Sequence, residues 1–122
     1  MKIPFLPIRF FRSHEIIVDF ETPDLIFASS GTTGSVRSKH FVADSSLYRE
    51  SYLKGFELAY GNITDWTILA LLPSYQEESS LIHMVNGLMK ESGSSGLGFF
   101  LENHQNLLDT MVDLETNGGK VL

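Results

Sequence analysis

Residues 29–34 read Ser-Ser-Gly-Thr-Thr-Gly, a short run dense in hydrogen-bonding groups. Gly31 and Gly34 bracket Thr32 and Thr33. Glycine tolerates positive φ and has no Cβ to hold a ligand away from the backbone. Successive backbone N–H groups in such a loop can converge on one anion. Ser29, Ser30, Thr32, Thr33 and Ser35 add as many as five hydroxyl donors. Arg37 and Lys39 follow, close enough in sequence to neutralise phosphate charge. The chemistry these residues suggest is the capture of a phosphate group. The run is not a Walker A loop, because no Lys-Ser/Thr follows either glycine, and it is not a Gly-x-Gly-x-x-Gly fingerprint. Composition alone also allows a flexible turn between two strands, since Gly, Ser and Thr are common turn residues.

Other residues with chemical potential have weaker patterns. His40 stands just behind the loop and could touch phosphate or substrate; a polar strand residue is the simpler reading. His83 lies on a helical face with Leu81 and Met84, as a boundary histidine or a substrate contact. His14 and His104 carry no motif, and the four histidines show no metal-ligand spacing such as His-x-x-x-His, so no metal site is expected. Glu77-Glu78 reads as a solvated acidic pair in a polar loop. Tyr48, Tyr52, Phe56 and Tyr60 recur every fourth residue, which suits a core-facing helical stripe better than a base-stacking surface. Met84, Met89 and Met111 read as ordinary core filling.

The elements that must position these residues alternate. Ile16-Ile17-Val18 suggests a short extended segment, and Leu25-Ile26-Phe27-Ala28 a strand covered on both faces. Residues 37–42 read as a second extended segment, so the loop joins two strands. Asp44 is a helix N-cap ahead of the tyrosine stripe, and Gly61-Asn62 ends that helix. Residues 66–72 form a buried strand stopped by Pro73. Residues 79–90 give the clearest helix, with Leu81, Met84, Val85, Leu88 and Met89 on one face. After a turn at 93–96, residues 97–101 read as a strand. Asn103 caps a helix carrying Leu107, Leu108, Met111 and Val112, and Asn117-Gly118-Gly119 ends it before Lys120-Val121-Leu122. Strands alternating with helices predict an α/β fold with a mostly parallel sheet and flanking helices. The last strand, with only three residues, suggests the front part of a longer domain.

Composition narrows the function classes. The chain has 122 residues, enough for one domain with a core. We read it as a single domain, with an extended lead-in over 1–23 and a loop-containing core over 24–122. Its formal charge of −6 argues against nucleic-acid or anionic-membrane partners, which need clustered Lys and Arg. The absence of cysteine excludes disulfides, thiolate metal sites and a Cys nucleophile, and fits a reducing, cytoplasmic setting. Pro4, Pro7 and Arg9 interrupt the apolar stretch 1–11, against a signal peptide. No apolar run reaches the roughly 18 residues of a membrane span.

The run Leu25-Ile26-Phe27-Ala28-Ser29-Ser30-Gly31-Thr32-Thr33-Gly34 resembles the phosphate loop of the adenylate-forming (acyl-CoA synthetase and luciferase) superfamily. Ser38-Lys39-His40, Gly55-Phe56-Glu57 with Tyr60-Gly61, and Leu71-Leu72-Pro73-Ser74-Tyr75 before Ser79-Ser80-Leu81 extend the likeness toward the acyl-protein synthetase branch. The resemblance runs from Asp24 onward. It implies a partial adenylation-domain fold and activation of a fatty or other carboxylic acid by ATP to an acyl-adenylate, with transfer to a thiol. An acyl-CoA reductase is the implied partner. Ser29, Ser30, Gly31, Thr32, Thr33, Gly34, Arg37 and Lys39 would hold the leaving phosphates, and His83 would line the acyl pocket. Val36-Arg37 stands where the superfamily has Pro-Lys, and Gln76-Glu77-Glu78 stands where a basic residue is expected. The segments that bind adenine, ribose and Mg, and the domain bearing the catalytic Lys, have no counterpart in these 122 residues. No catalytic residue is therefore assigned. A non-catalytic relative that only binds phosphate or nucleotide, or serves as an interaction module, is the alternative. An incomplete sheet and apolar helix faces predict homo-oligomers.

Overall fold

The computed structural model describes residues 5–18, 22–30, 36–73, 78–93, 98–101 and 103–122. The stretch expected to be an extended lead-in contains one helical turn, α1 (Phe10–Ser13), and Ile16, Ile17 and Val18 form no strand. β1 (Leu25–Ala28) and β2 (Lys39–Val42) follow as an antiparallel pair with Phe27 opposite His40 and Leu25 opposite Val42. A parallel return would need a crossover of about a dozen residues or more, and the connection over 29–38 is shorter than that.

α2 (Ser45–Tyr60) starts where expected. The Asp44 carboxylate accepts from Ser46 N at 2.8 Å and Leu47 N at 3.3 Å. Gly61 ends the helix at φ +83°, a conformation that disfavours any Cβ. A 3-10 turn (Ile63–Asp65) leads into β3 (Trp66–Thr67). α3 (Ser80–Glu91) is capped by Ser79 Oγ, which accepts from Ile82 N at 3.4 Å. α4 (His104–Asn117) is capped by Asn103, whose side chain accepts from Asn106 N at 3.1 Å, and β4 (Lys120–Val121) closes the order.

The chain is thus mixed α/β, and the described residues form two small sheets rather than one large parallel sheet. β1 and β2 form the antiparallel sheet. β3 pairs with β4 in parallel, and Leu122 bridges Thr67 O and Leu69 N at 3.0 Å each. On its other edge the same stretch meets Phe99 in a parallel bridge at Ala70. There Ala70 N donates to Gly98 O at 3.4 Å and Phe100 N donates to Ala70 O at 2.8 Å. Residues 66–70 therefore run between two parallel neighbours, reached through α3 and α4. The strand expected over 66–72 is shorter: regular pairing covers Trp66–Thr67, and Ala70 adds a single bridge.

The core gathers where α2, α3 and the 66–70 stretch meet. Phe56, Ile63, Ile68 and Leu88 are buried, with Tyr52, Leu53, Trp66, Met84, Val85 and Met89 packed around them. Phe56 confirms the inward face of the tyrosine stripe, while Tyr60 turns outward to leave its carbonyl for Trp66 Nε1 at 3.1 Å. α3 turns the expected face inward at Met84, Val85, Leu88 and Met89, with Ile82 buried in addition and Leu81 exposed. α2 meets α3 along a seam on another side of the helix. Ser80 O receives the Tyr48 hydroxyl at 3.1 Å, Gly87 lies under the Tyr52 ring, and Glu91 pairs with Arg49. Positions 80, 87 and 91 lie near one another around a 3.6-residue helix, so they form one contact face. α4 buries no residue, and Leu108, Met111 and Val112 are exposed. No helix among the described residues is long and apolar enough to cross a membrane.

Candidate functional site

The hairpin end holds the candidate loop by both shoulders. Ser29 N donates to Ser38 O at 2.9 Å, and Ser38 N donates to Ser29 Oγ at 3.0 Å. These bonds extend the β1–β2 ladder past its last strand pair and draw the two ends of the loop together. Gly31, Thr32, Thr33 and Gly34, with Ser35, lie outside the described residues. Ser29 and Ser30, at the described edge of the loop, are exposed.

A cleft of about 600 Å³ opens beside Ser29, Ser38 and Lys39. Residues directly opposite in an antiparallel pair share a face, so Phe27 and His40 point the same way and both line the cleft. Val42 lines it further along β2, and Phe11 of α1 forms its far wall. Phe11 stacks on the exposed His40 ring at 5.5 Å and 12°. Tyr48 and Ser80, from the first turns of α2 and α3, complete the lining. Burial pushes the Tyr48 hydroxyl's pKa up. The cleft volume falls in the range of about 300–1,000 Å³ that small-molecule sites occupy. Its walls are largely apolar, and the Lys39 side chain lies among the lining residues next to Ser38.

Asp24 ties the hairpin to α2. Its carboxylate accepts from Ser45 N and Ser45 Oγ, both at 2.9 Å, and these bonds lower its pKa. The loop base and the Tyr48 wall are thereby held in one frame.

The remaining expected site residues are placed differently. Arg37 faces protein groups. Its Nε donates to Ser29 O at 2.7 Å, its Nη1 to Glu78 Oε2 at 2.7 Å, and its Nη2 reaches Ala28 O at 3.5 Å. His83 is half-buried behind the cleft wall, with its ring 5.4 Å from Phe27 and 5.9 Å from Tyr48. Among the described residues the cleft brings together Ser29 and Lys39 but neither Arg37 nor His83. Phe11 and Tyr48 line the cleft and Glu78 pairs with Arg37, although none of the three was singled out from the sequence as a site residue. The Glu78–Arg37 pairing spans 41 positions and leaves no periodic signal. Phe11 lay in a segment read as a lead-in.

No group of three or more His, Asp or Glu among the described residues could hold a metal ion. The described groups suited to a phosphate are the Lys39 ammonium, the Ser29 and Ser38 hydroxyls and the His40 ring. Comparison of the chain with protein-family models, with curated proteins and with solved structures finds no match.

Proposed function

We propose that residues 29–39 form a phosphate site for the β- and γ-phosphates of ATP, within part of an adenylate-forming domain of the acyl-protein synthetase type. The observation that carries this reading is the closed hairpin mouth. Ser29 and Ser38 bond to each other at the base of a Gly/Thr loop, beside an apolar-walled cleft with Lys39 at its edge. Such a loop offers convergent N–H and O–H donors to an anion, and the cleft offers an apolar surface to an attached group. In the complete reaction the loop would stabilise charge building on the leaving pyrophosphate. Adenine, ribose and Mg contacts would come from other residues, so this chain by itself does not adenylate. The partial adenylation-domain fold, the fatty or other carboxylic acid substrate and the acyl-CoA reductase partner belong to this same reading.

Titration calorimetry with pyrophosphate and with ATP tests it. Binding at millimolar ligand or tighter is expected, weakened about three- to tenfold by Lys39→Gln, the scale of a lost charge-assisted contact. No affinity for either ligand at millimolar concentration would refute the phosphate site. Robust ATP–pyrophosphate exchange by the 122 residues with any fatty acid would refute the partial-domain reading.

A second reading keeps the fold and drops catalysis, leaving a phosphate-binding or interaction module. The exposed apolar row Leu108, Met111 and Val112 on α4 favours it.

A further inference from the structure

Residues 5–14 carry a charge opposite to that of the chain as a whole. They hold Arg9 and Arg12 and no Asp or Glu, in a protein of formal charge −6. Arg37, Arg49, Lys54 and Lys120 each face a carboxylate. Arg9 and Arg12 are exposed and pair with no acidic side chain among the described residues. The same segment holds apolar side chains out in water. Phe5 is 101% exposed, Ile8 83% and Leu6 49%. Local bonding explains this outward display. Phe10 N donates to Pro7 O at 2.9 Å, Phe11 N to Ile8 O at 3.2 Å and Arg12 N to Arg9 O at 3.1 Å, which winds the backbone into a tight turn. Phe11 spends its ring on His40, and Phe10 is half-buried with its ring 4.9 Å from that of His14. Phe5 and Ile8 are left outside with the two arginines. Single exposed apolar residues are ordinary, but here three fall within four positions and are followed by unpaired cations.

We propose that residues 5–12 are a peripheral contact for an anionic lipid bilayer, with Phe5 and Ile8 entering the headgroup region and Arg9 and Arg12 on its lipid phosphates. A stable protein partner needs about 800 Å² of complementary surface on each side, whereas these side chains project from one short turn. A bilayer interface accepts isolated apolar side chains, and the guanidinium fork matches phosphate oxygens. Attraction to the surface fades within a Debye length of about 8–10 Å, so the cations nearest the lipid count most. The acidic remainder of the chain acts against adsorption and makes the contact reversible and salt-dependent. The proposal uses neither residues 29–39 nor the phosphate reading above.

Co-sedimentation with vesicles tests it. One set is equal parts phosphatidylglycerol and phosphatidylcholine, the other phosphatidylcholine alone, each at low and at high salt. The chain should bind the anionic vesicles at millimolar lipid or tighter in low salt, and the neutral ones far more weakly. Arg9→Gln and Arg12→Gln should each weaken binding about fivefold. Phe5→Ser with Ile8→Ser should weaken it about tenfold through lost apolar burial. Lys90→Gln removes an exposed charge ten residues along α3 from the cleft-lining Ser80, and should leave binding within about twofold. All of these side chains are exposed, and circular dichroism checks that each variant is folded. No binding of the parent chain to anionic vesicles would overturn the proposal. So would a loss for Lys90→Gln as large as for Arg9→Gln, which would mean that only overall charge matters. Unchanged binding by the Phe5→Ser, Ile8→Ser variant would overturn the insertion. Soluble poly-glutamate bound more tightly than the vesicles, with the same losses in the Arg variants, would overturn it in favour of an acidic protein partner.

Discussion

Gly87→Ala sets two physical effects against each other inside α3. In an ordinary helix interior, replacing Gly by Ala stabilises by about 1 kcal/mol through backbone entropy. At this position an added Cβ would stand 2.0 Å from Tyr52 Oη and 2.7 Å from its Cζ. Real Cβ atoms do not approach that closely, so the Tyr52 ring or α3 must move. Tyr52 packs against the core and against Tyr48 at 5.6 Å, which restricts where the ring can go. Overpacking of this kind costs about 1–3 kcal/mol. The net expectation is a loss of about 0–2 kcal/mol, opposite in sign to the usual Gly→Ala gain. Tyr52→Leu removes both colliding atoms and keeps an apolar side chain. In that background Gly87→Ala should stabilise by about 1 kcal/mol, so the two sites should be coupled by about 1–3 kcal/mol. Urea unfolding followed by far-ultraviolet circular dichroism gives all four stabilities. A higher urea midpoint for Gly87→Ala in the parent chain would refute the close α2–α3 seam.

Phe56 is the centre of a small core, its ring tilted against Tyr60 at 5.0 Å and edge-on to Trp66 at 6.2 Å. Phe56→Ala should cost about 3–5 kcal/mol and, in a domain of typical stability of about 5–15 kcal/mol, strip most of the margin. Loss of the near-ultraviolet signal and of a cooperative urea transition would report it; an unchanged midpoint would contradict the core assignment. Asp24 and Asp44 both have pKa values lowered by hydrogen bonds, from Ser45 and from Ser46 with Leu47. Lowered folded values mean stability that is present above the ordinary aspartate value of 3.8 and is lost as pH falls through the folded values. The urea midpoint should therefore fall with acidification below that value. Asp44→Asn, which still caps but does not titrate, should flatten part of the fall; an identical acid profile for Asp44→Asn would remove the cap from the explanation. The exposed row Leu108, Met111 and Val112 should make the chain self-associate, read as a concentration-dependent sedimentation coefficient that Leu108→Glu with Val112→Glu abolishes. A strictly monomeric parent chain at high concentration would contradict it.

Much of the local structure was legible because its causes are local. Asp44 and Asn103 announce the starts of α2 and α4 by offering a side-chain oxygen to the N–H groups that follow. The Gly/Thr run between two apolar segments announces a loop joining two strands, but the antiparallel sense of that pair departs from the mostly parallel sheet expected. What stayed hidden depends on contacts between distant residues. Leu81 and Ile82 are adjacent and equally apolar, so spacing alone cannot say which is buried. The tertiary packing makes the choice, burying Ile82 and leaving Leu81 exposed. Glu78 had the composition of a solvated loop residue, and its pairing with Arg37 follows only from the placement of Glu78 beside β1. The expected large parallel sheet did not follow either, since alternation of strand and helix fixes neither the sense of every pair nor the number and length of strands. Within the candidate site, Ser29 and Lys39 were legible from sequence as neighbours of the loop, while the wall at Phe11 and Tyr48 required the fold.

The two contacts that anchor the loop differ in what breaking them would do. The Ser29–Ser38 bonds are part of a β ladder, and opening them would unravel the hairpin end. The Arg37–Glu78 pair is exposed and lies outside the ladder, so it can open while the strands stay paired. Ser29→Ala removes the Oγ that Ser38 N meets and should lower the unfolding free energy by about 1 kcal/mol, the scale of one hydrogen bond. Glu78→Gln gives up only an exposed pair and should cost less than about 1 kcal/mol. Urea unfolding of the two variants separates these contributions. A larger loss for Glu78→Gln than for Ser29→Ala would mean that the ion pair, and not the bonds between Ser29 and Ser38, holds the hairpin end.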